Sequence, residues 1–312
     1  FPAPLGRALF EVDAGRILGI VKSIITHCKS RISSVYLSVQ MHGYILSGRG
    51  APLVYVSWRD RRAEAYGYSP QIELKENSGT KLKANLPLVS VLAERQKRPE
   101  SFANQRTLYT LGSFVSFCLT GRNITHVTDA AASGFYDVYG RSYDYGLPLV
   151  LPEARQDVSC VGVYGGIEIF TPTGDQQTTV LGLEYEDKYI LNIGTAAQAC
   201  TVDSVYSDAE YECRPFFRGG YLPTISGLIG GAVLTDKGSE VPYKKLADNY
   251  AAAVEKLPRR SGLIVTGGAA EYHRELIVEA LKHTGIRFAF ADYNGTMAGL
   301  YKLADMRGGG II

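Results

Sequence analysis

The chain has 312 residues, 46% of them hydrophobic, which is ample for a core and for one large or two medium domains. A formal net charge of +2, from 33 basic and 31 acidic residues with no Lys/Arg tract, argues against nucleic acid as a partner. No apolar run is long enough for a membrane span, the start Phe1-Pro-Ala-Pro lacks a signal-peptide pattern, and the five scattered cysteines (Cys28, Cys118, Cys160, Cys200, Cys213) form no CxxC pair, so a reducing, cytoplasmic setting is expected.

In chain order, Asp13 caps a helix whose apolar face is Ile17, Ile20, Val21, Ile24 and Ile25. Ser34 to Gln40 alternates as a strand through Val35, Leu37 and Val39, and Leu53 to Trp58 is a second short strand after Pro52. Glu73 to Asn85 is too charged for core and is expected as loop or exposed helix. Leu108, Leu111, Val115, Cys118 and Leu119 mark a helix closed by Gly121. The Tyr- and Gly-rich stretch 134–146 reads as irregular, and Val161 to Phe170 as strand or hairpin edge. In the second half, Tyr189 to Ile193 runs into Gly194-Thr195, and Leu263 to Val265 into Gly267-Gly268 and a helix through Leu281. A strand at Arg287 to Phe290 and a helix at Thr296 to Ala304 follow. Strands feeding glycine turns and then helices predict α/β architecture with ligands at the strand ends.

Several blocks carry chemistry. A sugar hydroxyl becomes a competent nucleophile when a positioned carboxylate accepts its proton, and Asp175, beside Gly174, supplies one. Alone, Gly174-Asp175 reads first as a turn, and the neighbouring blocks reverse that preference. Gln176 and Gln177 add amides able to hold hydroxyls. Gln40-Met41-His42-Gly43 follows a strand, so its polar side chains stand at a strand's carboxyl end; a histidine such as His42, by itself, is more often structural than a ligand contact. Trp58, the single tryptophan, offers a ring face to a sugar or to the core, and Asp60 and Arg61 offer hydrogen bonds to hydroxyls or a salt-bridged surface turn. Gly194 and Thr195 present backbone N–H groups and a hydroxyl to phosphate, while Gly267, Gly268 and Ala269 let a flat base or ribose approach the backbone. A glycine pair there also serves plain strand–helix packing.

The blocks 40–43, 58–62, Leu119-Thr120-Gly121 with Thr128-Asp129-Ala130, 174–177, 192–196, 266–269 and 295–304 stand in an order that resembles the FGGY carbohydrate kinases of the actin-like ATPase superfamily. The resemblance spans nearly the whole chain. Within the family, Gln40–Gly43, Asn192–Gln198 and Arg214–Leu222 look like the ketose kinases, sedoheptulokinase more than xylulokinase. It implies two actin-like, ribonuclease H-like lobes with a cleft between them, residues 1–182 binding sugar and 183–312 binding nucleotide. It implies ATP with Mg²⁺ as cofactors and Asp175 as general base. Gln40, Met41, His42, Trp58, Asp60, Arg61 and Gln176 would line the sugar site, with Asp175, Gln40, His42, Trp58 and Asp60 converging on one pocket. Gly194, Thr195, Gly267, Gly268, Ala269 and Gly295 would hold ATP; no metal ligand is assigned. The partner is a small sugar, and the resemblance is compatible with a homodimer.

Two departures shape a further expectation. Phe10-Glu11-Val12-Asp13 resembles the family just after its strand–Asp-x-Gly-Thr-Thr–strand phosphate hairpin, so the first lobe is expected to lack that hairpin. The stretch from Asp175 to Gly267 is shorter than the resemblance leads one to expect, with a helical segment missing near 231–242. On these grounds the chain as written is expected to be a poor kinase, with a non-catalytic sugar-binding or regulatory relative as the alternative.

Overall fold

Asp13 ends a strand and begins a helix in one residue: its Oδ1 accepts from the Gly15 N–H at 2.7 Å, satisfying an otherwise orphaned donor of helix Ala14–Cys28. The structure is a computed structural model and describes residues 3–4, 9–48, 53–69, 79–102, 106–143, 147–207, 209–235 and 242–306. The chain divides into two compact units, Phe1–Gln176 and Gln177–Met306. Among the described residues no helix is long and apolar enough to cross a membrane.

The first unit is built on a six-stranded sheet in the order Ala3–Pro4, Phe10–Asp13, Val54–Val56, Tyr44–Ser47, Arg106–Tyr109, Leu149–Val150. Its pairs are antiparallel except the last, which is parallel. Tyr44, Leu46, Val56 and Leu108 are buried in one core cluster with Leu88, Val89 and Val91 of helix Pro87–Lys97. Helix Leu111–Thr120 begins with a capping box, Thr110 and Ser113 satisfying each other's backbone N–H groups, and stops at Gly121 in the left-handed region (φ 78°). Beside it, a Cys160–Tyr164/Ile167–Phe170 hairpin pairs in parallel with Ser34–Val35, and Thr173–Gly174 pairs in parallel with Ser38–Val39.

The second unit has a six-stranded sheet in the order Glu212–Pro215, Tyr221–Leu228, Ala197–Cys200, Lys188–Ile193, Gly262–Thr266, Phe288–Phe290. The first four strands are mutually antiparallel and the last two join Lys188–Ile193 in parallel. Antiparallel strands running on into parallel ones, with helices packed on the sheet, give the ribonuclease H-like arrangement. Leu191, Ile193, Leu263 and Val265 form the core with Leu246, Tyr250 and Val254 of helix Tyr243–Glu255 and Ile277 and Leu281 of helix Arg274–Lys282.

Local differences from the sequence expectation have physical causes. Ser34 to Gln40 is two short strands, Ser34–Val35 and Ser38–Val39, because it pairs with two separate partners. Leu108 belongs to a strand, and the helix starts only after the Thr110 cap. In the polar stretch Glu73 to Asn85, residues 73–78 lie outside the described residues and no helix occurs over 79–85; the helix starts at Pro87, a residue suited to a first turn. Helices occupy Gly231–Leu234 and Tyr243–Glu255, and residues 236–241, within the stretch where a helical segment was expected to be missing, lie outside the described residues. The helix expected through Leu281 breaks at His273 (φ −107°, ψ 29°) into Gly268–Tyr272 and Arg274–Lys282. Within 134–146, Tyr136–Asp137 and Ser142–Tyr143 form a small antiparallel pair.

Candidate active site

In the first unit the parallel register pairs Ser38 with Thr173 and Val39 with Gly174. The next residues on these neighbouring strands are Gln40 and Asp175, so backbone pairing alone brings them side by side at two carboxyl ends. Asp175 begins helix Asp175–Gly182, and its Oδ1 accepts from the Gln176 N–H at 2.9 Å. A carboxylate in the first turn is favoured by the helix dipole. Gln176 is buried (4% exposed).

Tyr55 joins the pair from below. Its hydroxyl donates to Gln40 Oε1 at 3.1 Å. Burial is the main cause that raises its phenol above the ordinary value, and the nearby charges of Asp129 and Asp175 add to it. Gly43 makes room for this ring, since a Cβ there would overlap the Tyr55 hydroxyl. The glycine of the Gln40–Gly43 block is thereby explained by packing. His42 sits in the left-handed region (φ 60°), an uncommon state for a non-glycine residue, and its Nδ1 lies 3.0 Å from the Ala132 carbonyl. A carbonyl only accepts, so Nδ1 carries a proton, and in the neutral ring Nε2 is the acceptor. Met41 is buried.

The Trp58–Arg62 block divides. Trp58 is half-buried, its carbonyl held by Asn85 Nδ2 at 2.9 Å. Asp60 is 1% exposed, and each carboxylate oxygen accepts two hydrogen bonds: Oδ1 from Arg62 N and Nε (2.9 and 2.8 Å), Oδ2 from Phe10 N and Arg62 Nη2 (2.8 and 3.0 Å). Its acceptor capacity is filled by the fold, contrary to the expectation that it faces sugar hydroxyls. Arg61 is exposed and paired with Glu64. The residue of consequence in this block is Arg62, buried and bound to Asp60, Glu11 and Glu94.

A set of buried polar groups accompanies Asp175, and of these only Thr128 and Asp129 fall in a block named from the sequence, without a role. Asp129 is 2% exposed and accepts from Thr125 Oγ1 at 2.6 Å. Burial pushes its carboxyl up to about 6, against hydrogen bonds from Thr110 and Thr125 and with help from the Asp175 charge. Thr125, His126 and Thr128 are likewise buried. The available signal was a polar run, Thr125-His126-Val127-Thr128-Asp129, set in an apolar context.

The second unit holds the nucleotide-type features. Asn192 and Thr266 are partners across parallel strands, and both line a cavity of about 630 Å³ at the carboxyl ends of those strands. Gly267, Gly268 and Gly295 line it too; Gly194, Thr195 and Ala269 do not. Gly267 has φ 107°, and a Cβ there would stand 2.5 Å from the Ile193 carbonyl and 2.6 Å from Asn192 Oδ1, so both conformation and space require glycine. Gly194 and Thr195 form the turn into Ala197–Cys200, and their carbonyls accept from Gly231 N (2.7 Å) and Ala232 N (2.9 Å). A Cβ on Gly231 would come within 2.7 Å of Ala269, so turns 194–195, 230–231 and 267–269 meet closely. The cavity wall includes Phe290, with the Arg274 guanidinium 4.2 Å from its ring centroid and ion-paired to Glu271 at 2.7 Å. Asn294 caps helix Gly295–Asp305 by accepting from Met297 N at 3.0 Å.

These features fit a nucleotide: the volume suits an adenosine-sized group, the glycines leave a flat backbone wall, and Thr179, Asn192, Thr266 and Asn294 give polar contacts. Among the described residues no three His, Cys, Asp or Glu side chains gather as a metal cage. Mg²⁺ commonly binds through phosphate oxygens and one or two carboxylates rather than such a cage.

A ribonuclease H-like sheet with a glycine-walled cavity at its strand ends defines an actin-like ATPase fold. The family model described as the N-terminal domain of the FGGY family of carbohydrate kinases matches residues 16–184, and the chain belongs to that family. It is a carbohydrate kinase. Solved structures similar to it include a ligand-bound xylulose kinase from Lactobacillus acidophilus, with TM-score 0.83 and 15% identity over 100% of this chain and 84% of that one. Others are a gluconate kinase from Lactobacillus acidophilus (TM-score 0.82, 17% identity, 100% and 84%) and a Plasmodium falciparum glycerol kinase with ADP (0.81, 16%, 99% and 83%). At these identities the likeness is one of fold. No curated protein sequence matches.

Proposed function

We propose that this kinase transfers the γ-phosphoryl group of ATP, with Mg²⁺, to a hydroxyl of a ketose, and that Asp175 is the general base. The observation that supports the reading is the register of Thr173–Gly174 on Ser38–Val39, after which Asp175 and Gln40 follow on neighbouring strands. Gln40, His42, Trp58 and Gln176 orient the sugar hydroxyls, and Asp175 takes the proton as the oxygen attacks phosphorus. Mg²⁺, when bound with the nucleotide, neutralises phosphate charge. Gly267, Gly268 and Gly295 bound the base and ribose, and the turn at Gly194-Thr195 lies toward the phosphates.

The ketose preference rests on sequence likeness in Gln40–Gly43 and Arg214–Leu222, with sedoheptulose favoured over xylulose. Within the second of these, Arg214 is buried on Glu212 (2.9 Å from Nε), and Arg214 pairs with Leu222 across two strands, so that run supports the sheet. The test is ATP consumption with sedoheptulose, xylulose, gluconate and glycerol. Turnover with a ketose would set aside the expectation of a poor kinase, and it is expected to fall about a hundredfold to ten-thousandfold in Asp175→Asn. Sugar binding without turnover would favour a non-catalytic relative, and undiminished turnover in Asp175→Asn would remove the base assignment.

A further inference from the structure

The segment Pro172–Gly174 delivers Asp175, and the groups that hold it are unusual in being buried and polar. The Pro172 carbonyl accepts from the His126 backbone N–H at 2.9 Å and lies 3.3 Å from Thr125 Oγ1. Thr173 N donates to the Leu37 carbonyl at 2.9 Å. The Gly174 N–H, one peptide before the carboxylate residue, donates to Thr128 Oγ1 at 3.0 Å. That hydroxyl belongs to a side chain with 0% exposure, 46 positions away in sequence.

The proton positions along this chain follow from the acceptors. His126 Nε2 lies 3.0 Å from the Gln156 carbonyl, which only accepts, so Nε2 bears the hydrogen. Burial lowers the imidazole to about 4, so near neutral pH the ring is uncharged and Nδ1 is a bare acceptor. Nδ1 stands 2.9 Å from Thr128 Oγ1 and 3.3 Å from Thr128 N. The hydroxyl hydrogen of Thr128 therefore points to His126, which turns an oxygen lone pair to the Gly174 N–H. Each member has one polarity: Gly174 N–H to Thr128 Oγ1–H to His126 Nδ1, and His126 Nε2–H to Gln156.

We infer that Thr128 is a positioning residue for phosphoryl transfer: through this one-way hydrogen-bond chain, anchored by His126, it fixes the peptide that aims the Asp175 carboxylate. The inference rests on Asp175 being the base. Ordinary sheet pairing secures Thr173, and the Gly174 N–H donates to Thr128 where the two-residue strand pair ends. Thr128 thus holds the peptide at the junction where the two-residue ladder ends and helix Asp175–Gly182 begins, and misplacement of a base by about 1 Å costs up to about a hundredfold in rate.

The test uses the full chain with Thr128→Val, Thr128→Cys and Thr128→Ser beside Asp175→Asn, each checked by thermal melting. Val keeps the shape and removes the acceptor; Ser restores the hydroxyl; Cys keeps a small side chain with a weak acceptor and serves if Val does not fold. For Val or Cys, kcat is expected to drop about tenfold to a hundredfold with the sugar KM changed less than about threefold, and Ser to recover most of kcat. A role confined to stability would instead lower the melting temperature and leave kcat per folded molecule intact, and that result overturns the inference. So does a Ser variant as slow as the Val variant. If Asp175→Asn abolishes turnover while Thr128→Val and Thr128→Cys do not impair it, only the positioning role fails; if Asp175→Asn turns over normally, the base assignment fails first.

Discussion

Arg61 and Arg62 are neighbours in sequence with opposite physical situations, and replacing each by Met separates them. The Arg62 side chain is 4% exposed and bonded to Asp60 (1%), Glu94 (18%) and Glu11 (26%). Its Nε is 2.8 Å from Asp60 Oδ1 and its Nη2 2.7 Å from Glu11 Oε1. One cation thus serves three carboxylates, and the same cluster presses on the buried Tyr44, whose phenol is raised by burial first and then by the Glu94 charge. Removing the cation strands an almost fully buried carboxylate beside two partly buried ones. Breaking a buried pair in this way costs about 3–5 kcal/mol. Arg61 is 61% exposed and paired with Glu64, itself 49% exposed; an exposed pair contributes about 0–1 kcal/mol. Urea unfolding at pH 7 is expected to show a midpoint shift for Arg62→Met several times that for Arg61→Met, with unchanged slope. Adding Asp60→Asn to Arg62→Met should recover part of the loss, because the second change removes the stranded charge. Equal shifts for the two single variants, or no recovery in the double one, would refute the view that Asp60 belongs to this ion cluster.

The buried pair His126 and Asp129 makes pH dependence legible. The Asp129 carboxyl is raised from 3.8 to about 6, so the folded state holds its proton more tightly, and stability from this group is full below about 4 and lost as pH rises through 6. The His126 imidazole is lowered from 6.5 to about 4, so its contribution is full above 6.5 and lost as pH falls through 4. Each shift is worth about 3 kcal/mol, with opposite slopes. Asp129→Asn should therefore make stability climb more steeply between pH 4 and 6.5 than in the parent, by urea unfolding; parallel curves would contradict the assignment. Gly43→Ala places a methyl on the Tyr55 hydroxyl, and is expected to cost about 1–3 kcal/mol and to raise the sugar KM through Gln40, measured by melting and initial rates. Gly267→Ala adds a Cβ 2.5 Å from the Ile193 carbonyl at φ 107°, and should abolish measurable ATP binding by calorimetry; binding within twofold of the parent would move the nucleotide elsewhere.

What the sequence disclosed follows from where its signals are local. The Asp13 cap, the Gly121 stop and the strand running into Gly194 each depend on a few adjacent residues, and the structure holds them where the pattern put them. Helix Pro87–Lys97 escaped because residues 87–91 are all buried, so no amphipathic period marks it. The Trp58–Arg62 block misled for a different reason: Asp60 and Arg61 are polar types that serve equally well toward hydroxyls or inside an ion cluster, and burial alone tells the two apart.

At the centre of the proposed site Gln40 and Asp175 were named through the family resemblance, while the contacts that support them were not legible, for a geometric reason. Gln40 and Asp175 are brought side by side by two two-residue strands in parallel, a pairing whose connection is long and carries no turn signature. Tyr55 went unmarked, and Thr128 stood only within the Thr128-Asp129-Ala130 block, with no role given to it. A threonine and a tyrosine are ordinary strand or helix residues until a Gly174 N–H and a Gln40 amide arrive from elsewhere in the chain. Short elements cannot hold a carboxylate to within tenths of an ångström by ladder hydrogen bonds alone. Precision at Asp175 must then come from side chains that are themselves immobile, and the fully buried Thr128, locked by His126 to the Gln156 carbonyl, meets that requirement. A base carried on such a short ladder thus depends on polar groups distant in sequence, which is why its supports were hidden from a reading of neighbours.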